Sequence, residues 1–327
     1  MNKRRKLVLA LGVGAIGPFA SFAQQGKPVR VGILVGFTAT KFRSQEKIFT
    51  DSLRDYGWIE GSNVVYDRAY ADDDESRLPA LAEGLVKRNA NLIFAPYNVP
   101  LAAAHARSNT IPIVFSTVND PLGRRFVKSF AHPGGNITGV ANIGYELGGK
   151  RMQLLKQALP KVSRVGVLMH STSPDGPREL KLIEEAADSL RVKVIPAKAQ
   201  EIWQIETAFS LLVKNRVEAL LATHVPLFIS GGRKHLLAFA ASYRLPVMGA
   251  REELPENGGL MSYGSRRDDQ TRRAAQLADK ILRGAKPADI PIEQPTTFEF
   301  VVNKITAKAL GITFPAEIML QATRVIE

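Results

Sequence analysis

Short apolar runs alternate with amphipathic segments along the first third of the chain. Residues 29–35 are almost continuously apolar, which is typical of a buried strand. Residues 44–56 follow, with Phe49 and Leu53 spaced as one face of a helix that Gly57 ends. The alternation continues with strands at 63–70, 91–95 and 111–116 and helices at 78–88 and 100–108. This order predicts a parallel sheet covered by helices.

A second series of the same kind begins after a crossing segment at 139–142. Residues 164–169 repeat the apolar strand pattern of 29–35. The further predicted elements are helices at 148–159, 177–190, 203–214, 231–243, 268–283 and 305–310 and strands at 192–195, 217–222, 246–249, 258–263 and 298–303. The chain is too long for one compact core, and the two series are similar in size.

These patterns predict an α/β protein of two Rossmann-like lobes, whose parallel sheets are joined by a multi-stranded hinge. Pro287, Pro291 and Pro295 mark an extended connection near the C-terminus, so the chain must cross between the lobes several times. We expect lobe 1 to contain residues 28–141 plus about 265–297. Lobe 2 is expected to contain residues 142–264 plus about 298–327.

The N-terminus has the layout of a secretory signal peptide at residues 1–23. A basic segment ending at Lys6 precedes a short apolar stretch, and Ser21 and Ala23 supply small residues before a cleavage point. The alternative is a membrane anchor, but the apolar stretch is shorter than the roughly 20 residues that a bilayer requires. We therefore expect export to the periplasm. Adjacent Arg4 and Arg5 leave open whether the route is Sec or twin-arginine.

Composition narrows the possible classes of protein further. The chain has no cysteine, which excludes disulfides, thiolate metal sites and a lipid anchor on cysteine. Loss of the four basic residues in the signal would lower the formal net charge from +13 to +9. The remaining basic residues are scattered rather than clustered, so we expect no nucleic-acid partner.

Motifs that would indicate an enzyme or a metal site are incomplete, absent or in the wrong place in this sequence. The sequence Gly-Val-Gly-Ala-Ile-Gly at 12–17 matches a dinucleotide fingerprint but lies inside the signal. The acidic run at 72–75 lacks the pattern of a calcium loop and precedes a helix, where acids and Ser76 would act as caps. No paired histidines, nucleophile elbow or phosphate-binding loop occurs in the sequence. We expect no catalysis, no cofactor and no metal.

Ligands of open parallel sheets bind outside the carboxyl ends of the strands, and in a two-lobed protein both sets of ends can face one cleft. Asn98 and Pro100 suit the start of a helix, where free N–H groups bind anions; simple capping is the alternative. Asp120 and either Glu252 or Glu253 could accept an ammonium group, and Arg251 could pair with a carboxylate. Surface salt bridges are the alternative for these charges.

The predicted ligand-binding residues divide between the lobes. Phe37 and Tyr97 would form an apolar wall, unless they are packed in the core. Lobe 1 is expected to contribute Phe37, Thr38, Tyr97, Asn98, Ser116, Thr117 and Asp120. Lobe 2 is expected to contribute His170, Ser171, Thr172, His224, Arg251, Glu252 and Tyr263.

Several segments carry a resemblance to a known family. They include Gly-Trp-Ile-Glu-Gly at 57–61, Asn-Asp-Pro at 119–121, Pro-Gly-Gly-Asn-Ile-Thr-Gly at 133–139, Gly-Gly-Leu-Met-Ser-Tyr-Gly at 258–264 and Phe-Glu-Phe-Val-Val-Asn at 298–303. In this order they resemble the ABC-transporter substrate-binding family that includes the tryptophan/tyrosine-type receptors, a branch of the type 1 periplasmic-binding fold. The chain departs from the common pattern at 97–100 and 170–173, two of the expected ligand loops.

The resemblance implies two lobes on a three-stranded hinge that close on a small solute and dock on an ABC permease in the cytoplasmic membrane. Relatives are associated with amino acids, so we expect an amino acid or a related carboxylate-bearing solute and a monomeric receptor. A sensor subunit that docks on a membrane signalling receptor is the alternative. A periplasmic enzyme on this scaffold has less support, because nucleophile and metal motifs are missing. A transcriptional regulator of similar fold is disfavoured by the export signal and by the missing DNA-binding headpiece.

Overall fold

The computed structural model describes residues 27–225 and 227–327. It contains two β-sheets whose strands are connected mainly by helices. In the first sheet five strands are all parallel, in the order β2-β1-β3-β4-β5. These strands are β1 Val29–Val35, β2 Val64–Tyr70, β3 Leu92–Phe94, β4 Ile113–Asn119 and β5 Ile137–Asn142. The helices between them are α1 Ala39–Asp55, α2 Leu78–Lys87 and α3 Asn98–Arg107.

The second sheet has seven strands, in the order β12-β11-β10-β9-β8-β6-β7. Its strands are β6 Arg164–His170, β7 Lys193–Ala199, β8 Ala219–Ala222, β9 Val247–Gly249, β10 Met261–Ser265, β11 Phe298–Asn303 and β12 Arg324–Ile326. Only the β10–β11 pair is antiparallel among the pairings of this sheet. The remaining helices are α4 Gly148–Ala158, α5 Gly176–Ser189, α6 Gln204–Lys214, α7 Arg233–Ser242, α8 Glu253–Glu256, α9 Arg267–Leu282, α10 Lys304–Leu310 and α11 Ala316–Gln321.

Helices cover both faces of the first sheet, which explains why its strands are apolar on both sides. Phe49 of α1 stacks on Phe94 of β3 with ring centroids 3.9 Å apart. On the opposite face, Leu85 of α2 packs under β1, where it leaves room for nothing larger than Gly32. Strands buried on both faces need continuous apolar runs, as parallel sheets do.

Helix α9 joins the first sheet although it follows the tenth strand in sequence. It packs beside α1 and over β4 and β5. The later segment also returns to this sheet, because Ala141 donates to the Glu293 carbonyl at 2.8 Å and Glu293 donates to the Gly139 carbonyl at 3.0 Å. Within the described residues the chain therefore passes between the sheets after β5, after β10 and before β11. The lobe boundaries remain a prediction with which these sheet memberships agree.

The prediction of an α/β fold with two sheets of mainly parallel strands is confirmed. Some details were wrong. The segment at 139–142, predicted as a crossing, belongs to strand β5, and the chain crosses only after Asn142. The predicted strand at 258–263 begins at Met261 and continues to Ser265. Helices α8 and α11 and strand β12 were not predicted, because they are too short to show a clear period.

Two predicted helix caps are also corrected. Tyr97, with an extended backbone, occupies the N-cap of α3, and the Asn98 side chain accepts instead from the Asn119 backbone N–H at 2.9 Å. Asp74, not Ser76, caps the short 3₁₀ turn Glu75–Arg77 by accepting from the Ser76 N–H.

The predicted signal peptide at 1–23 lies outside the described residues. Among the helices that the structure describes, none combines the length and the hydropathy needed to cross a bilayer.

Candidate functional site

The carboxyl ends of β1 and β3 bring two predicted aromatic residues together. Phe37 and Tyr97 meet edge to face, with ring centroids 5.5 Å apart and an interplanar angle of 81°. Phe42, which is buried on α1, also packs edge to face with Tyr97, and the two ring centroids are 6.3 Å apart. Both predicted residues are only partly buried, so this pair offers an aromatic surface beside the strand ends. Thr38 is the N-cap of α1 and accepts from the Lys41 N–H at 3.3 Å.

The end of β4 is distorted where three further predicted residues lie. Its pairing with β5 shifts between Ser116 and Val118. Thr117 has φ of +57° and Asp120 has φ of +44°, in the left-handed region that a β-branched threonine rarely adopts. Such strain is held by surrounding structure and is frequent at ligand sites. Ser116 is buried, whereas Asp120 accepts from the Gly123 N–H at 2.9 Å and closes a turn.

A line of amides continues from these loops to the crossings between the sheets. Asn119 accepts from the Asn142 side-chain amide at 2.8 Å. The Ser265 hydroxyl in turn donates to the side-chain Oδ1 of Asn142 at 3.4 Å. Asn119 also donates to Asp175, which follows β6 in the other sheet, and Arg124 forms an ion pair with the same carboxylate at 3.2 Å. The strand-end loops of the two lobes are thus in direct polar contact.

The loop after β6 holds three predicted residues close together. His170 accepts at Nδ1 from the Thr172 N–H at 3.3 Å, and Ser171 donates its N–H to the Ala199 carbonyl at the end of β7. Ser171 and Thr172 are exposed. Their hydroxyls are therefore accessible at the rim of the seven-stranded lobe.

His224, after β8, lies above a buried ion pair that the sequence did not indicate. Its backbone N–H donates to Glu179 at 3.2 Å, and Glu179 pairs with Arg151 at 3.0 Å. A Cβ added to Gly144, in the first crossing, would lie 2.7 Å from the His224 Nδ1 atom. Burial, with help from the charges of Arg151 and Arg251, holds the pKa of His224 well below its usual value of 6.5. A neutral imidazole therefore packs against the crossing.

Arg151, on α4, connects the first crossing to strand β10 of the seven-stranded lobe. Its guanidinium donates to the Gly144 carbonyl at 2.7 Å and to the Tyr263 carbonyl at 2.9 Å. The side chain is fully buried, as is its partner Glu179, and burial raises the pKa of Glu179 to about 7. Tyr263 itself stacks on Phe298 and packs at the border of the core. The backbone carbonyl of Tyr263, rather than its ring, therefore accepts the hydrogen bond from Arg151.

A second group of charges lies where α8 and α9 begin. Arg251 is 5% exposed and has Glu252 at 3.6 Å and Glu253 at 3.8 Å from its Nε atom. Arg267, the first residue of α9, forms an ion pair with Glu253 at 3.0 Å. Since α9 packs on the five-stranded sheet and α8 on the seven-stranded one, this pair also connects the lobes. Burial lowers the pKa of the Arg267 guanidinium, but Tyr97 and then the nearby carboxylates outweigh burial and raise it.

Unpaired polar atoms concentrate in this region. Buried side-chain atoms without a hydrogen-bond partner occur, in the described part of the chain, on Tyr66, Thr117, His224, Arg251, Glu253, Arg267 and Gln270. All but Tyr66 lie at strand ends or beside the crossings. Orphaned buried donors and acceptors are costly, so a concentration of them indicates a place where another molecule supplies partners.

Sequence reasoning missed Arg151, Glu179, Arg267 and Gln270. The first two occupy amphipathic helices, where a charged residue resembles any solvated one. Arg267 lies four residues after the predicted strand at 258–263, and this proximity was a usable signal, since strand ends had been singled out as ligand loops. Gln270 lies one turn further along the same helix and carried no signal of its own.

Two mainly parallel sheets with strand ends facing a shared junction define a type 1 periplasmic-binding protein. The sequence profile described as "ABC transporter substrate binding protein" matches residues 30–326. The chain belongs to this family, as its motifs predicted.

Similar proteins include a tyrosine-binding protein of Clostridioides difficile, which is 26% identical over 82% of this chain and 76% of its own. Among solved structures, an ABC domain from Streptococcus pneumonia in complex with L-Trp has a TM-score of 0.82 and 23% identity, covering 92% of this chain and all of its own. A conserved domain protein from Vibrio cholerae also reaches 0.82 at 23% identity, over 91% of this chain and all of its own. At these identities the two structures support the fold.

Proposed function

We propose that this protein is the periplasmic solute-binding subunit of an ABC importer and closes its two lobes on an amino acid, preferably an aromatic one. The observation that carries the proposal is the concentration of unpaired buried polar atoms between the strand ends of the two lobes. A small solute that supplies the missing partners would link both lobes and so favour the closed state.

The aromatic preference has its own support. Phe37 and Tyr97 form a partly exposed edge-to-face pair at the strand ends of lobe 1, and an aromatic ligand would extend it. The tyrosine-binding relative and the neighbour in complex with L-Trp are consistent with such a ligand. The Clostridioides difficile relative is described as a binding protein, which agrees with a receptor that releases its ligand unchanged.

A melting screen of the purified protein tests the proposal directly. A ligand at 100 times its Kd stabilises the native state by about 2.7 kcal/mol. For a chain of this size we expect L-tyrosine or L-tryptophan to raise the melting temperature by about 5 °C. Organic acids and sugars would serve as the comparison set. If no amino acid changes the melting temperature or gives heat in calorimetry, the proposed function is wrong.

Export can be tested independently of the ligand. We expect the protein recovered from the periplasmic fraction to begin at Gln24, as measured by intact mass. Recovery of the full-length chain from the cytoplasm would contradict the proposed location while leaving the ligand screen valid.

A further inference from the structure

Glu253 lies between two arginines at the junction of the lobes. Its Oε1 atom accepts from Arg267 Nη2 at 3.0 Å, and its Oε2 atom is 3.8 Å from Arg251 Nε, beyond hydrogen-bond distance. Arg251 is anchored by a weak bond from Nη1 to the Ser265 carbonyl at 3.4 Å. The three side chains are therefore held in place with part of their bonding capacity unused.

The unused atoms are of two kinds. Arg251 Nη2 and Arg267 Nε are buried donors without an acceptor. Glu253 Oε2 and Gln270 Oε1 are buried acceptors without a donor. Gln270 lies three residues after Arg267 on α9; it is 1% exposed, and its amide donates to the Ala141 carbonyl at 3.3 Å. Leaving such groups unpaired costs about 1–3 kcal/mol each, so a bound group that satisfies both kinds gains affinity.

The charges of this cluster balance one another. Arg251 and Arg267 carry two positive charges, and Glu252 and Glu253 carry two negative charges. A balanced site disfavours a purely anionic or cationic ligand, because either would leave one set of charges unmatched. A guanidinium matches a carboxylate, and carboxylate and amide oxygens match an ammonium group.

We propose that Arg251, Glu253, Arg267 and Gln270 bind the zwitterionic head of an α-amino acid, with its carboxylate at the two arginines and its ammonium at Glu253 and Gln270. The proposal rests on the proposed function and adds the first turn of α9 to the site. Because Arg267 opens a helix of lobe 1 and Glu253 opens a helix of lobe 2, one head group would contact both lobes.

Calorimetry with stripped-down analogues separates the two charges of the head. The probes are L-tyrosine and L-tryptophan, the amines tyramine and tryptamine, which lack the carboxylate, and 3-(4-hydroxyphenyl)propionate and 3-indolepropionate, which lack the ammonium. We expect the native protein to bind at least one of the two amino acids about 100 times more tightly than either of its analogues. This ratio corresponds to about 2.7 kcal/mol.

Substitutions then assign each charge to a residue. Arg267→Gln is expected to weaken binding of the amino acid by about 10- to 100-fold. The affinity for its amine analogue should change by no more than about twofold, because that analogue has no carboxylate for the guanidinium to bind. Glu253→Gln is expected to weaken binding of the amino acid and to leave the affinity for the propionate analogue, which lacks the ammonium, unchanged. Arg267→Lys keeps the positive charge but not the paired donors of the guanidinium, so it should lose less affinity for the amino acid than Arg267→Gln. The matched control is Arg266→Gln, because Arg266 is exposed and contacts Asp269 at 3.7 Å.

The outcomes are distinct from those for the general function. If the native protein binds an amino acid but Arg267→Gln binds it equally well, the cluster is satisfied by water and this inference is wrong. If Arg267→Gln weakens binding of the amino acid and of its amine analogue alike, Arg267 only supports the fold, which also contradicts the inference. If the native protein binds no amino acid at all, the proposed function itself fails.

Discussion

Arg151 has the least exposed guanidinium in this region and the most demanding set of partners. It is fully buried, pairs with Glu179 and donates to carbonyls of both Gly144 and Tyr263. A buried charge is tolerated only when paired and hydrogen-bonded in this way. The network fixes the first crossing to the seven-stranded lobe, so the hinge begins from a defined position.

Removal of this guanidinium should be costly. We expect Arg151→Met to destabilise the protein by about 3–5 kcal/mol, because it removes the charge partner of the buried Glu179 carboxylate and a hydrogen-bond donor to two backbone carbonyls. Urea unfolding of the ligand-free protein measures the change. Arg54→Met is the matched control, since Arg54 is exposed and forms a surface pair with Asp51, and should change stability by less than about 1 kcal/mol. Equal effects would contradict the assigned role.

His224 predicts a dependence of stability on pH. Its pKa in the folded protein lies well below the unfolded value of 6.5, so the unfolded chain binds a proton that the native one does not. The stabilisation is present above pH 6.5 and is lost as the pH falls below it, by about 1.4 kcal/mol per pH unit. Glu179, with a raised pKa of about 7, contributes in the opposite sense between about pH 4.5 and 7.

The His224 contribution is isolated by a difference measurement. The stability difference between the native protein and His224→Gln should shrink steadily as the pH falls from 6.5 to 5. The exposed His132 provides the control His132→Gln, whose difference curve should be flat. A flat curve for His224→Gln would show that the buried ring does not control this dependence.

At the scale of elements, strand β10 leads directly into the second crossing, and its fit there is tight. A Cβ added to Gly264 would lie 2.1 Å from the Ala250 carbonyl oxygen, a backbone atom that cannot move aside alone. Ala250 precedes Arg251, so any shift would also move the charged cluster.

Gly264→Ala should therefore destabilise the protein by about 1–3 kcal/mol and weaken ligand binding together. Thermal unfolding and calorimetry on the same samples give both quantities. Gly135→Ala is the control, because an added Cβ at that position meets nothing within 4 Å. A stable Gly264→Ala variant with unchanged affinity would contradict the proposed coupling.

At the scale of the whole molecule, the polar contacts of the described residues that join the lobes include two ion pairs. Asp175 of the seven-stranded lobe accepts from Asn119 and Arg124 of the five-stranded lobe, and Glu253 pairs with Arg267. The Asp175 contacts involve none of the four residues of the proposed head-group site. They therefore restrain opening of the lobes without touching the ligand as placed by the further inference.

Asp175→Asn should shift the ligand-free protein towards a more open state. The partly exposed ion pair contributes about 1 kcal/mol, which is about a fivefold change in the ratio of open to closed molecules. Small-angle X-ray scattering should give a larger radius of gyration for this variant, and saturating ligand should reverse the increase. Asp188→Asn, at an exposed position of α5, is the control. An unchanged radius would contradict the restraint.

The sequence by itself determined the order of strands and helices, because each buried strand needs an apolar run and each covering helix an apolar face. It also placed Phe37, Tyr97 and Arg251 at strand ends, since periodicity locates those ends. Tertiary structure alone decided that α9 packs beside α1 and over β4 and β5, and that Arg267 meets Glu253. Arg151, Glu179 and Gln270 are buried polar residues whose partners lie up to 129 positions away in the chain. No local pattern specifies such pairs, because their burial depends on how separate helices and crossings come together.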